Sequence, residues 1–448
     1  MDTFASSTPA DPRMVRLGVL GCGNVGGALC ELVQRDGDAI AARTGLRLVI
    51  QRVAVRSLSK ERSVDLPASV FTTDGADVVT SPDVDVVVEV LGGIEPAREF
   101  ITEALKAHKP VVTANKELLA NVGAELFAVA ESAGVDLLFE AAVAGGIPLI
   151  RPLRESLVGE RVRRITGIVN GTTNYILSQM ASEGTSYHDA LADAQSLGYA
   201  ERDPTADVEG YDAGAKAAII ASIAFGVRVV AGDVYHEGIS GITPIDIAFA
   251  EQLGYRIKLL AVCEHFDDDS VAVRVHPAMV PQVHPLASVR DSFNAVFVEG
   301  DAVGELMFYG RGAGGFPTAS AVLGDVIDAA LNRTRGTAAT IGSLSRCRVR
   351  PIDELWSPFY LNVEVSDEPG VLAAVAGVFG AHGVSIRSME QEGLGHDARI
   401  IFITHRAQES DVRSTLRDLA DLDVVREIAS VLRVFDDDAV ADEPVGRR

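Results

Sequence analysis

Cysteine is scarce in this sequence: Cys22, Cys30, Cys263 and Cys347 are the only four in 448 residues. Their spacing excludes a CxxC-type metal site and reads as free thiols in a reducing cytoplasm. Basic charge is short as well, with 40 Lys and Arg against 63 Asp and Glu, a formal net charge of −23. That deficit argues against a nucleic-acid partner, which calls for a basic patch. Any anionic ligand must be held by local donors working against the overall field. Long apolar runs are missing too. No stretch approaches the roughly 18–20 residues of a membrane helix, and the opening MDTFASSTPADPR lacks the basic and apolar regions of a signal peptide. No membrane is expected, and the localisation expected is cytoplasmic.

What is present is a chain long enough for two to four domains. After a flexible lead (1–13), residues 14–145 alternate β-branched apolar runs (VRLGVLG, LRLVIQRVAV, VDVVVEVLG, PVVTA, VDLLFEAAV) with helical periods such as AREFITEALKAH. This pattern predicts a parallel α/β sheet. Residues 146–334 are mixed, an α+β second domain, and its last helix (310–334) is expected to return to the first. A linker (335–356) follows. Residues 357–435 then read strand, helix, strand, strand, helix, strand, a ferredoxin-like order. The end, 436–448, is acidic and reads as a disordered tail.

Gly21-Cys-Gly23-Asn24-Val25-Gly26 closes the first strand and opens a helix. The GxGxxG spacing lets backbone turn tightly and approach a pyrophosphate at a helix N-terminus, the mark of a Rossmann-type dinucleotide domain. The second strand ends without the acid that would hold an NAD ribose. It carries Arg56, Lys60 and Arg62 instead, cations suited to the 2′-phosphate of NADP, with NAD the alternative.

Two lysines stand out. Lys116, in Thr113-Ala-Asn-Lys116, follows a strand at the carboxyl end of the sheet, where ligands of α/β proteins bind. Lys216 closes ERDPTADVEGYDAGAK, four residues after Asp212. Helical spacing alone makes that a surface ion pair.

The motifs GCGNVG, TANKELL, EAAVAGGIP, NGTTNYIL, GYAERDPTADVEGYDAGAK and GRGAGGFPTASAV, in this order, closely resemble homoserine dehydrogenase over 15–334. The final unit, with Val365-Ser-Asp367-Glu-Pro-Gly370, looks like an ACT domain. The resemblance implies reversible NAD(P)-dependent interconversion of L-homoserine and L-aspartate 4-semialdehyde, on the route to threonine and methionine. It assigns Glu201, Asp207, Asp212, Lys216, Asn170 and Thr172 to the substrate. Lys116 and Lys216 would flank the reacting oxygen, with Asp212 beside them. Lys216 as anchor and Lys116 as proton carrier is the preferred division, the reverse its alternative. Gly21, Gly23, Asn24, Val25, Gly26, Arg56, Lys60, Lys116 and Gly312 would hold the cofactor.

By the same resemblance, the Glu140 carboxylate and the carbonyls of Val143, Gly145 and Ile147 would hold a structural sodium ion. Asp367 and Gly370 would bind threonine as effector. A homodimer or homotetramer is expected. Two rivals stand beside this reading. A thiol-dependent semialdehyde dehydrogenase would need Cys263 or Cys347 as nucleophile, and a non-catalytic dinucleotide and amino-acid sensor would need neither lysine.

Overall fold

Apolar, β-branched runs become strands. In the first unit of a computed structural model these are β1 (Arg13–Leu20), β2 (Leu46–Ala54), β3 (Phe71–Thr72), β4 (Val86–Glu89), β5 (Val111–Thr113) and β6 (Leu137–Leu138). The model describes residues 11–62, 64–339, 341–342, 344–393 and 397–436. The six strands pair in parallel in the order β3-β2-β1-β4-β5-β6. All four residues of β4 are buried, as a sheet covered on both sides requires. Helices α1 (Asn24–Arg35), α2 (Gly37–Thr44), α3 (Gly75–Thr80), α4 (Ala97–Lys106) and α5 (Lys116–Ala133) join the strands. The strand order reverses between β1 and β4, the switch point outside which such sheets bind dinucleotides. The helix Gly315–Arg335, α11 in chain order, lies against α1. Its Val322, Val326 and Ala329 share a core with Leu29, Cys30 and Val33.

The second unit holds α6 (Gly171–Glu183), α7 (Tyr187–Ser196), α8 (Thr205–Val208), α9 (Tyr211–Phe225) and α10 (Pro244–Gln252). Its strands are β7 (Val162–Ile168), β8 (Tyr235–His236), β9 (Tyr255–His265), β10 (Val271–Pro281), β11 (Phe293–Gly300) and β12 (Gly304–Arg311). The βαββαβ segment supplies β14 (Phe359–Ser366), α12 (Val371–Ala381), β15 (Ile386–Gly393), β16 (Asp397–Thr404), α13 (Glu409–Ala420) and β18 (Val425–Val434). A small pair, β13 (Trp356–Ser357) with β17 (Ala407–Gln408), is added to it. The fold class expected from the sequence, a Rossmann-type domain, a mixed α+β domain and a ferredoxin-like end, is borne out.

By contact, the described residues group into two compact units. One is drawn from Met1–Ser156 and Arg311–Ser345, the other from Leu157–Gly310 and Arg346–Arg448. The physical reason is a shared sheet. β18 pairs in parallel with β10, Ala278 opposite Arg433 and Met279 opposite Val434. The strand order therefore runs unbroken as β12-β11-β7-β9-β10-β18-β14-β16-β15. Part of the expected linker is also engaged, since Val271 N–H donates to the Arg348 carbonyl (2.9 Å) and Arg350 N–H to the Val271 carbonyl (2.8 Å). Residues 437–448, most of the expected tail, and most of the lead lie outside the described residues. Among the described residues no helix is long and apolar enough to cross a membrane.

Candidate active site

The glycines of the first loop do three different jobs. Gly21 has φ +103°, and a Cβ there would come within 2.8 Å of the Val90 carbonyl oxygen. At Gly26 a Cβ would meet the Gly21 carbonyl oxygen at 2.2 Å, so α1 packs on the loop only because this residue is bare. A Cβ at Gly23 would meet nothing within 4 Å. Gly23 is the N-cap of α1 and no side chain caps that helix. The first N–H groups of α1 are thus left without a side-chain cap beside open space at Gly23, the arrangement an anion-binding helix start requires. Asn24 and Val25 form the first turn of α1. Arg56 and Lys60 are exposed on the loop after β2. Arg62 donates to the carbonyls of Ser57 (2.6 Å) and Lys60 (2.7 Å), and so braces the loop that presents the other two.

Lys116 is the first residue of α5, behind the N-cap Asn115, whose side chain accepts from Leu118 N–H at 3.1 Å. Beneath it lies a buried polar cluster that sequence reasoning missed. The Glu89 carboxylate, at the end of β4, accepts from the Thr113 hydroxyl (2.5 Å) and from the N–H groups of Leu91 (2.7 Å) and Gly92 (3.3 Å). Asn115 Nδ2 donates to the Gly93 carbonyl at 2.6 Å. Burial raises the Glu89 pKa against the pull of these donors. Together they fix the carboxyl ends of β4 and β5, and with them the backbone that carries Lys116. The signal was present in Val-Glu-Val-Leu-Gly-Gly and in Asn115, a residue type favoured at N-caps.

The acidic stretch closed by Lys216 builds a buried cluster at the head of α9. Lys216 Nζ donates to Asp212 Oδ2 (2.7 Å) and to the Val169 carbonyl (2.6 Å). Asn170 Nδ2 donates to the same Asp212 oxygen (2.9 Å) and to Asp207 Oδ1 (2.7 Å). Lys216, Asp212 and Asn170 are all buried, which overturns the surface ion pair that helical spacing alone suggests. Asn170 is also the N-cap of α6, accepting from Thr173 N–H at 2.9 Å, so one side chain ties α6 to α9. Thr172 spends its hydroxyl on the Tyr199 carbonyl (2.7 Å). Glu201 is exposed, outside this cluster's hydrogen bonds.

The expected cation loop departs from its assignment. The Glu140 carboxylate accepts from the N–H groups of Leu149 (2.5 Å), Ile150 (2.7 Å) and Arg151 (2.8 Å), and so caps the helical segment that follows. A carboxylate committed to three backbone donors does not fit the role of ion ligand. The carbonyls of Val143, Gly145 and Ile147 fit better, because the turn's own backbone bonds engage the carbonyls of Glu140 and Ala144 instead. Among the described residues no three His, Cys, Asp or Glu side chains converge as a metal site. Glu140 N–H donates to Asp325 Oδ2 (2.7 Å), and Arg151 pairs with Asp325 (3.0 Å) and Asp328 (2.8 Å). Burial, reinforced by the Glu140 charge, pushes the Asp325 carboxyl up to about 7. The Gly312 carbonyl is pressed against this loop, 2.2 Å from a Cβ on Gly145. The close approach to α1 is made by Gly315, where a Cβ would lie 3.0 Å from the Asn24 carbonyl.

Asp367 and Gly370 lie in the exposed loop between β14 and α12. Gly370 is the N-cap at φ +96°, without a side-chain cap. The thiol chemistry of the first rival finds no support. Cys263 is buried, its thiol pushed up to about 12 by burial, and it donates to the Ala217 carbonyl at 3.5 Å. Burial raises the Cys347 thiol as well.

Comparison with known proteins agrees with this geometry. Residues 21–140 match the family model of the homoserine dehydrogenase NAD-binding domain, 148–327 that of homoserine dehydrogenase, and 359–424 that of the ACT domain. Homoserine dehydrogenase of Mycobacterium tuberculosis H37Rv is 51% identical over 437 residues, covering 95% of this chain and 99% of its own length. The crystal structure of a homoserine dehydrogenase from Thiobacillus denitrificans superposes with a TM-score of 0.90 at 40% identity, covering 95% of this chain and 99% of that one. A hyperthermophilic archaeal homoserine dehydrogenase in complex with NADPH is 29% identical with a TM-score of 0.61, over 71% of this chain and 98% of that one. The chain thus belongs to the homoserine dehydrogenase family of NAD(P)-dependent oxidoreductases and carries a C-terminal ACT domain.

Proposed function

We propose that this chain interconverts L-homoserine and L-aspartate 4-semialdehyde, on the route to threonine and methionine, with NADP preferred over NAD. The observation that carries the reading is the Asn170–Asp212–Lys216 cluster, buried and joined by the half-buried Asp207, in a chain that also has an uncapped glycine loop. A small amino acid offers an ammonium, which calls for carboxylates such as Asp207, Asp212 and Glu201. It also offers a carboxylate, which calls for donors. The nicotinamide, when bound, accepts or supplies the hydride. Lys216, held between the Val169 carbonyl and Asp212, is fixed as an anchor should be. Lys116 is then the proton carrier, taking the hydroxyl proton on oxidation and stabilising the developing alkoxide on reduction. Arg56 and Lys60, exposed beyond β2, support the preference for a 2′-phosphate.

Three finer points belong to this reading. A structural sodium ion would rest on the carbonyls of Val143, Gly145 and Ile147 and not on the Glu140 carboxylate. L-Threonine would be the effector at the Asp367–Gly370 loop, and equal inhibition of wild type and Asp367→Ala would remove that loop as the sensor. The edge strand β12, with Met307 and Tyr309 exposed, suits a homodimer or homotetramer.

Lys116→Ala and Lys216→Ala, assayed separately, test the division of labour. The expected result is a loss of about 10²–10⁴-fold in kcat for Lys116→Ala. Lys216→Ala should raise the homoserine KM more than it lowers kcat. Unchanged turnover in Lys116→Ala would remove that residue from the chemical step.

A further inference from the structure

The strand that joins the ACT segment to the rest of its sheet carries one buried cation. Arg433 of β18 pairs with Glu237 Oε2 through Nη1 (2.8 Å) and with Glu409, at the start of α13, through Nε (3.1 Å). Its guanidinium lies over the Tyr235 ring at 5.4 Å, and the Tyr235 hydroxyl donates to the same Glu237 oxygen at 3.2 Å. Arg433 and Glu409 are both buried, while Glu237 is half-buried.

Glu237 stands in a short segment pressed against residues 205–212, the segment of α8 and the first turn of α9 that carries Asp207 and Asp212. Ile239 N–H donates to the Val208 carbonyl at 2.8 Å. A Cβ on Gly238 would fall 2.5 Å from that same carbonyl oxygen. Gly210, at φ +85°, leaves only 3.5 Å between its would-be Cβ and the Glu237 carbonyl oxygen. The Tyr211 and His236 rings meet at 4.2 Å. On the other side, Glu237 N–H is bonded to the Val275 carbonyl of β10 at 2.8 Å. The segment is thus clamped between β10 and residues 205–212, and its one charged side chain is held from the ACT strand.

We propose that Arg433, through Glu237, is a positioning residue for the 205–212 segment, so that the ACT segment forms part of what shapes the substrate site. The proposal rests on the substrate role assigned above to Asp207 and Asp212. A bidentate, desolvated guanidinium between two carboxylates fixes both partners more tightly than either exposed pair would. Glu237 cannot shift without moving the backbone on which Val208 and Gly210 are packed.

The test uses Glu237→Gln and Arg433→Lys in the full chain. Glu237 is half-buried, so its variant is the one expected to fold without difficulty. Glu237→Gln should raise the homoserine KM about fivefold, with the NADP KM and kcat within about twofold, and Arg433→Lys should fall between it and wild type. In deuterium exchange without ligands, amides 205–212 should exchange faster in Glu237→Gln, with those of α12 unchanged. An unchanged homoserine KM with unchanged exchange at 205–212 would overturn the proposal. So would a rise in both KM values together with a lowered Tm, which marks the pair as packing alone. If wild type oxidises no homoserine, the assigned activity fails, and the exchange comparison alone decides the positioning role.

Discussion

At the scale of single residues, the phosphate loop separates folding from binding. Gly26 is bare because α1 must touch the loop, and a Cβ there would lie 2.2 Å from the Gly21 carbonyl oxygen; Gly23 is bare with nothing within 4 Å. Gly26→Ala should therefore lower both Tm and NADPH affinity. Gly23→Ala should leave Tm within about 2 °C, since its change in stability is only a few tenths of a kcal/mol, yet weaken NADPH binding by tenfold or more. Thermal melts and fluorescence titration check both, and equal loss of Tm in the two variants would contradict the distinction. Much of this scale was legible in the sequence. GxGxxG after an apolar strand carries a local physical meaning, and Asp212 four residues before Lys216 announces an ion pair, though not its burial. Glu140 was not legible, because its partners are N–H groups nine to eleven residues later, at Leu149, Ile150 and Arg151. No side-chain pattern announces a carboxylate that caps a distant helical turn.

At the scale of elements, α11 adds a buried acid to the unit that contains Glu140. Asp325 has its carboxyl pushed up to about 7 by burial and by the Glu140 charge, against about 3.9 in an unfolded chain. The folded state therefore holds this proton more tightly. Asp325 makes stability fall as pH rises from about 4 to about 7, by at most roughly 4 kcal/mol across that window. Asp325→Asn keeps a side-chain oxygen for the Glu140 N–H and removes the ionisation. Denaturant unfolding should show the gap between variant and wild type shifting in the variant's favour as pH rises through this window. A constant gap would mean that Asp325 does not titrate there. Apart from the two-residue β3, the strands of the Rossmann-type sheet could be read from periodicity. The pairing of β18 with β10 could not. It joins residues some 155 positions apart through two residue pairs, Ala278 with Arg433 and Met279 with Val434, and periodicity carries no information about partners.

At the scale of the whole molecule, the strong negative charge leaves anionic ligands dependent on local donors. On the proposed function these are the uncapped helix start at Gly23, the exposed cations Arg56 and Lys60, and the buried ammonium of Lys216. The ACT segment is part of the same sheet as β10, so removing it would expose β10 along the edge that pairs with β18. Regulation is therefore better probed by point substitution than by truncation. The measurement that bears most directly on the proposed activity is a spectrophotometric assay of homoserine oxidation by the full chain, with NADP and NAD compared. The expected result is homoserine-dependent reduction of the nicotinamide, with a higher kcat/KM for NADP, lowered about 10²–10⁴-fold in kcat by Lys116→Ala. The absence of homoserine-dependent reduction with either cofactor, from folded protein that still binds NADPH, would contradict it.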